Sequence, residues 1–88
     1  MTVNLETDVV RRIVEALAAA TGSGDVRKQL DLPLYDLGLL DSFTTVNLML
    51  ELEAAFGLEI SPTDVDRAAW ATPRLFIADI VRRLAART

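Results

Sequence analysis

No stretch of this sequence alternates apolar and polar residues with a period of two, whereas three stretches repeat apolar residues at intervals of three and four. A half-buried strand needs the first pattern and an amphipathic helix the second, so the chain is confined to helical architectures. Val10, Ile13, Val14 and Leu17 form the first stripe and predict a helix over residues 5–20, ended by Gly22. A second helix is expected from about Ser42 to Phe56, closed by Gly57. Ser61 as N-cap, Pro62 at the first helical position and Asp64 in the first turn predict a short third helix. Thr72 and Pro73 repeat the start signal, and Ile77, Ile80, Val81 and Leu84 make the stripe of a last helix. Arg82, Arg83 and Arg87 stand at its C-terminal end, where the helix dipole favours cations. The expected fold class is all-α, a four-helix bundle of three long helices and one short one.

With 88 residues the chain reads as one domain over 1–88. A chain of that size buries roughly 60–65% of its unfolded surface, enough for one modest core but not for a deep catalytic cleft. Its 51% hydrophobic content suffices for that core. Residues 21–41 show no period, and they contain "LDLPLYDLGLL", too rich in leucine for a solvated linker. So long a loop is expected to lie across the helices, with Leu37 and Leu40 buried.

The chain holds neither cysteine nor histidine. Disulfides, thiolate metal sites and triads built on a histidine base are thereby excluded, and no metal site is expected. A net charge of −4 and a pI near 4.6 disfavour nucleic acid and anionic membranes and favour a basic partner. The segment "IVEALAAA" is interrupted by Glu15 and is too short to span a bilayer, so a soluble cytoplasmic protein with no membrane insertion is expected. A small enzyme is disfavoured by the missing histidine and cysteine, and a helix-turn-helix DNA binder by the acidic charge.

The second helix carries more apolar residues than one buried face requires. Leu48, Met49, Leu52 and Phe56 suit the core, while Phe43, Val46 and Leu50 form a second stripe rotated away from it. Either the loop and the short third helix cover that stripe, or it stays exposed as a docking surface. The polar remainder is Asn47, Glu51 and Glu53. At the mouth of this helix stands "LLDSF". Asp41 and Ser42 are both favoured caps, and Asp41 alone can satisfy the first-turn N–H groups. If it does, the Ser42 hydroxyl is left free at the positive end of a helix, which suits a phosphodiester. With no histidine to activate it, Ser42 is better suited to modification by another enzyme than to catalysis. A non-modified helical interaction module would explain the helices and leave the Asp-Ser placement accidental.

"LGLLDSF" followed by an apolar helix resembles the phosphopantetheine attachment site of acyl and peptidyl carrier proteins, with Asp41, Ser42 and Phe43 on the motif and the likeness running over residues 5–86. "LGLLDSFTTVNLMLELE" and "DRAAWATP", the latter with Asp66, Arg67, Trp70, Thr72 and Pro73, are similar to the D-alanyl carrier branch. On residue type alone Trp70 reads as a core plug between the last two helices. The resemblance implies an acyl-carrier-like bundle and a 4′-phosphopantetheine arm on Ser42, with Asp41 beside it, holding an aminoacyl group as a thioester. It further implies a monomer that is not itself an enzyme. Its partners would be a phosphopantetheinyl transferase, an adenylating enzyme and an acyltransferase or other acceptor. Phe43, Val46 and Leu50 would provide apolar contact to them, flanked by Asn47, and Asp36, Asp41, Glu51 and Glu53 would steer basic surfaces. The alanine- and arginine-rich composition sits apart from low-GC Gram-positive cell-wall systems. The expectation is therefore a stand-alone aminoacyl carrier of natural-product biosynthesis, of macrolactam or polyketide type, with teichoic acid D-alanylation as the alternative.

Overall fold

The computed structural model describes residues 2–86, with side chains from residue 8 onward, so Arg87 lies outside the described residues. Helix α1 spans Thr2–Thr21, α2 Ser42–Phe56 and α3 Pro73–Ala86. On α1, Ile13 and Leu17 are fully buried together with Ala16 and Ala18, and the small alanines let neighbouring backbones approach. Gly22 takes φ +70° and returns its N–H to the Ala18 carbonyl at 2.9 Å, which turns the chain off the helix. A 3₁₀ turn at Gly24–Arg27 follows, capped by the Ser23 hydroxyl, and it buries Val26 in the core. Arg27 reaches back to both carboxylate oxygens of Glu15 on α1, at 2.6 and 2.8 Å.

The long loop is pinned to the start of α3. The Leu34 N–H donates to the Ala71 carbonyl and the Arg74 N–H to the Leu30 carbonyl, both at 2.9 Å. Within the loop the Leu34 carbonyl accepts from Leu39 and Leu40. The loop does pack over the helices, but Leu34 and Leu40 are its buried anchors. Leu37, expected inside, is 56% exposed. It precedes Gly38, whose φ of +75° reverses the chain there and lifts the Leu37 side chain outward.

The expected short third helix is two 3₁₀ turns, Pro62–Asp64 and Arg67–Trp70, joined by extended residues. Its start signals are only partly used. Ser61 makes no side-chain cap bond and its hydroxyl pairs with that of Thr63 instead. Val65 is extended at φ −90° and ψ 119°, and Asp66 restarts the turn by accepting from the Ala68 N–H at 3.0 Å. A β-branched residue followed by a strong capping residue interrupts the segment before an α-helical turn can close. The all-α class stands, with three α-helices in place of four among the described residues.

Thr72 caps α3 through its hydroxyl to the Leu75 N–H, and Pro73 occupies the first helical position. The buried stripe is Phe76 and Ile80, with Ile77 and Leu84 half-buried, whereas Val81 is partly exposed. Trp70 is fully buried, as its plug reading requires, and meets Phe76 edge to face at 4.9 Å. Its indole Nε1–H donates to Asp79 Oδ2 at 2.9 Å. Asp79 is buried on α3 and also accepts from Arg82 and, at 2.8 Å, from Arg83, which in turn donates to the Asp64 carbonyl. This cluster fastens both 3₁₀ turns to α3. The two arginines, expected only as dipole-matching cations, are its ion-pair partners.

Candidate functional site

Asp41 is the N-cap of α2, extended at φ −148° and ψ −171°. Its Oδ1 accepts from the Thr44 N–H at 2.9 Å, while the Thr44 hydroxyl accepts from the Asp41 N–H at 2.7 Å. This is a reciprocal capping box in which Thr44 fills the place more often held by Glu or Gln. Hydrogen bonds from the Thr44 backbone and hydroxyl hold the Asp41 carboxyl below the usual carboxylate range, so it stays ionised at neutral pH. With the cap complete, Ser42 is left as the exposed first residue of the helix, and no hydrogen bond among the described residues uses its hydroxyl.

The second apolar stripe lies in solvent. Phe43 is 73% exposed, Leu50 58% and Val46 48%, while Leu48, Met49 and Leu52 face the core and Phe56 is half-buried against it. The loop and the 3₁₀ turns therefore do not cover this face. Asn47 and Glu51 flank it on the α1 side, where they share a shallow depression with Ala19, Ala20, Leu50 and Ala54. Glu53 and Asp36 are exposed. The structure thus brings Ser42, Phe43, Val46, Asn47 and Leu50 onto one continuous surface that begins at the helix start.

On its other side Ser42 opens onto a groove of about 380 Å³. One wall is α2, with Asp41, Thr45, Val46 and Met49; the other is Tyr35 from the loop with Pro62, Val65 and Arg67 from the 3₁₀ segment. Arg67 lies with its guanidinium carbon 4.3 Å from the centre of the Tyr35 ring. Sequence reasoning missed Tyr35 as a site residue and saw Arg67 only as part of a motif. The two are 32 positions apart along the chain, and no local pattern brings them together. Chemically the site offers a free hydroxyl, an ionised carboxylate committed to capping, and a cation across a groove. It fits a covalently attached anion at Ser42, because the hydroxyl is accessible and its modification breaks no hydrogen bond of the fold.

The family model described as a phosphopantetheine attachment site matches residues 11–84. The chain is 47% identical over 68 residues to the D-alanyl carrier protein of Lacticaseibacillus rhamnosus, covering 77% of this chain and 84% of the relative. It is 41% identical over 71 residues to that of Latilactobacillus sakei subsp. sakei, covering 81% and 91%. With that of Enterococcus faecalis it shares 33% identity over 73 residues, covering 83% and 94%. The family's covalent cofactor is 4′-phosphopantetheine, and its members are substrates of partner enzymes. An all-α fold, a bare serine hydroxyl beside a self-sufficient cap and likeness over most of the chain agree: this chain belongs to the phosphopantetheine-bearing carrier proteins, in their D-alanyl carrier branch.

Proposed function

We propose that Ser42 carries the 4′-phosphopantetheine arm and that residues 1–88 act as a single carrier domain for a small amino acid. The observation that carries this reading is the exposed, unengaged Ser42 hydroxyl next to a cap that does not need it. When bound, the group supplies a terminal thiol, which this cysteine-free chain lacks. Attachment forms a bond from Ser42 Oγ to the pantetheine-side phosphorus of coenzyme A. It breaks that phosphorus's bond to the bridging pyrophosphate oxygen and releases adenosine bisphosphate. The hydroxyl proton goes to a base on the transferase, because Asp41 is held ionised by Thr44 and is a poor base.

D-alanine is the cargo that the relatives' names give, and their likeness favours D-alanine here over the macrolactam or polyketide reading. Trp70 and Phe76 are fully buried and pack edge to face in the interior, which supports a small cargo held at the surface over a long acyl chain drawn into the core. The second reading, an aminoacyl carrier of natural-product biosynthesis, rests on composition alone, eight arginines against one lysine in an alanine-rich chain. In either case the partners are a phosphopantetheinyl transferase, an adenylating ligase and an acyltransferase or other acceptor. The exposed Phe43, Val46 and Leu50 face is their contact, flanked by Asn47 and Glu51, and Glu53 with Asp36 and Asp41 steers basic surfaces. Tethering makes delivery effectively intramolecular once a partner docks, so a transient interface is enough.

Incubation with coenzyme A and a broad-specificity transferase should add one phosphopantetheine, mapped by peptide mass spectrometry to Ser42. Ser42→Ala should abolish it with the helical circular dichroism unchanged. Labelling at Ser61 or Thr44, or none with several transferases, refutes the assignment. Loading the holo protein with a D-alanine ligase, with ligases for other amino acids and with a fatty-acyl synthetase then separates the cargo readings. Efficient loading by the fatty-acyl system alone rejects both.

A further inference from the structure

The groove beside Ser42 holds a cation that has no anionic partner among the described residues. Their ion pairs use Arg11, Arg27, Arg74, Arg82 and Arg83. Arg67 takes part in none of them, and its neighbour Asp66 directs its carboxylate to the Ala68 N–H. The Arg67 guanidinium lies over the Tyr35 ring instead, at 4.3 Å, on the wall of the groove facing Asp41 and Ser42. Stacking occupies the flat face of a guanidinium and leaves its in-plane N–H donors available, the arrangement that suits a phosphate.

We propose that Arg67, oriented by Tyr35, is a positioning residue for the phosphodiester that joins the arm to Ser42, and lays the arm along this groove. This rests on the assignment of Ser42 above. An electrostatic need supports it. A phosphodiester on Ser42 stands next to the Asp41 carboxylate, which the capping box keeps ionised, so two anions are adjacent. A cation on the opposite wall offsets their repulsion. The placement also separates two surfaces. The arm lies on the Tyr35 and Arg67 side of α2, where Val46 is shared with the contact face, and Phe43 and Leu50 are left clear for a partner protein.

The competing role for Arg67 is purely structural, a strap holding the loop to the 3₁₀ segment, and holo protein distinguishes the two. Wild type, Arg67→Gln and Arg67→Lys are modified with coenzyme A and transferase, checked by intact mass, and compared by phosphorus NMR and by the Arg67 and Tyr35 side-chain signals. In wild type the phosphorus resonance should differ from that of the same protein unfolded in urea and move toward it as salt is raised. The Arg67 Nε–H and Tyr35 ring signals should shift between apo and holo forms. Arg67→Gln should place the phosphorus resonance at the unfolded value and remove its salt dependence, with Arg67→Lys in between. A phosphorus resonance unchanged by Arg67→Gln overturns the proposal. So do wild-type Arg67 and Tyr35 signals identical in apo and holo protein, a result that stands even if the variants fold poorly. A missing mass increment on wild-type Ser42 overturns the carrier assignment and this inference together. An increment with unmoved signals overturns this inference alone.

Discussion

Replacing Asp79 by alanine removes the acceptor of the Trp70 indole N–H, at 2.9 Å in a fully buried site, and the partner of the part-buried Arg83 at 2.8 Å. An orphaned buried donor costs about 1–3 kcal/mol, and a lost charge-assisted bond about 1.5–3 kcal/mol. Arg82 is mostly in solvent, so its share is small. Relief of Asp79's own burial offsets part of the sum, leaving a destabilisation of about 3 kcal/mol. In a domain of this size that lowers the melting temperature by roughly 12–24 °C. Asp79→Asn keeps an acceptor for the indole and should lose about half as much.

The pH dependence carries a sign. Burial pushes the Asp79 carboxyl up, but hydrogen bonds from Arg83 and Trp70 and the charges of Arg83 and Arg82 outweigh it, so the folded-state value lies below the ordinary one. Such a group adds stability above its unfolded-state pKa of about 4, and that stability is lost as pH falls through the folded-state value. The gap between wild type and Asp79→Ala should therefore narrow as the medium is acidified below about pH 4. Urea and thermal unfolding followed by tryptophan fluorescence measure all of this, since Trp70 is the single tryptophan. A loss below about 1 kcal/mol, or a gap that does not narrow in acid, would refute the assignment of the cluster as the fastening of the 3₁₀ segment.

Leu50→Asp, at an exposed position on the proposed contact face, should change stability by no more than about 0.5 kcal/mol while slowing aminoacyl transfer to or from a partner enzyme; unfolding of this variant would show that the face is structural. Asp41→Ala removes the α2 cap and should cost about 1 kcal/mol by thermal melting, with Ser42 still modifiable but more slowly; an unchanged melting temperature would contradict the capping box.

The periodic parts of the fold are legible because periodicity reports burial directly. Ile13 and Leu17, Leu48 and Leu52, and Ile80 all face the core as their spacing requires. The segment 61–70 is not, because Ser61 and Pro62 advertise a helix while Val65 and Asp66 break it, and a helix-start signal carries no information about the turn after it. Leu37 shows the limit of composition. A leucine-rich loop announces that some leucines are buried, but the turn at Gly38 decides which, and Leu34 takes the inner place. At the site, Asp41 and Ser42 could be assigned because cap chemistry is local. Tyr35 and Arg67 meet only after the loop and the 3₁₀ segment have both folded onto α2. Asp79 had a usable signal in its spacing of three and four to Arg82 and Arg83, but nothing along the chain ties that trio to Trp70.

Because Thr44 and not Ser42 completes the capping box, esterifying Ser42 breaks no bond that the native state possesses and the unfolded state lacks. The unfolded chain tolerates the modification equally, so the thermodynamic cycle linking apo and holo folding carries no lost-hydrogen-bond term at the helix start, and what remains there is electrostatic: the helix dipole attracts the phosphodiester and Asp41 repels it. Any difference in unfolding free energy between the two forms then measures how the folded surface receives the arm, through its contacts and through the charges around the phosphodiester. The Ser42 site is in this sense a built-in balance, on which the affinity of the arm for its own protein can be weighed without a partner present.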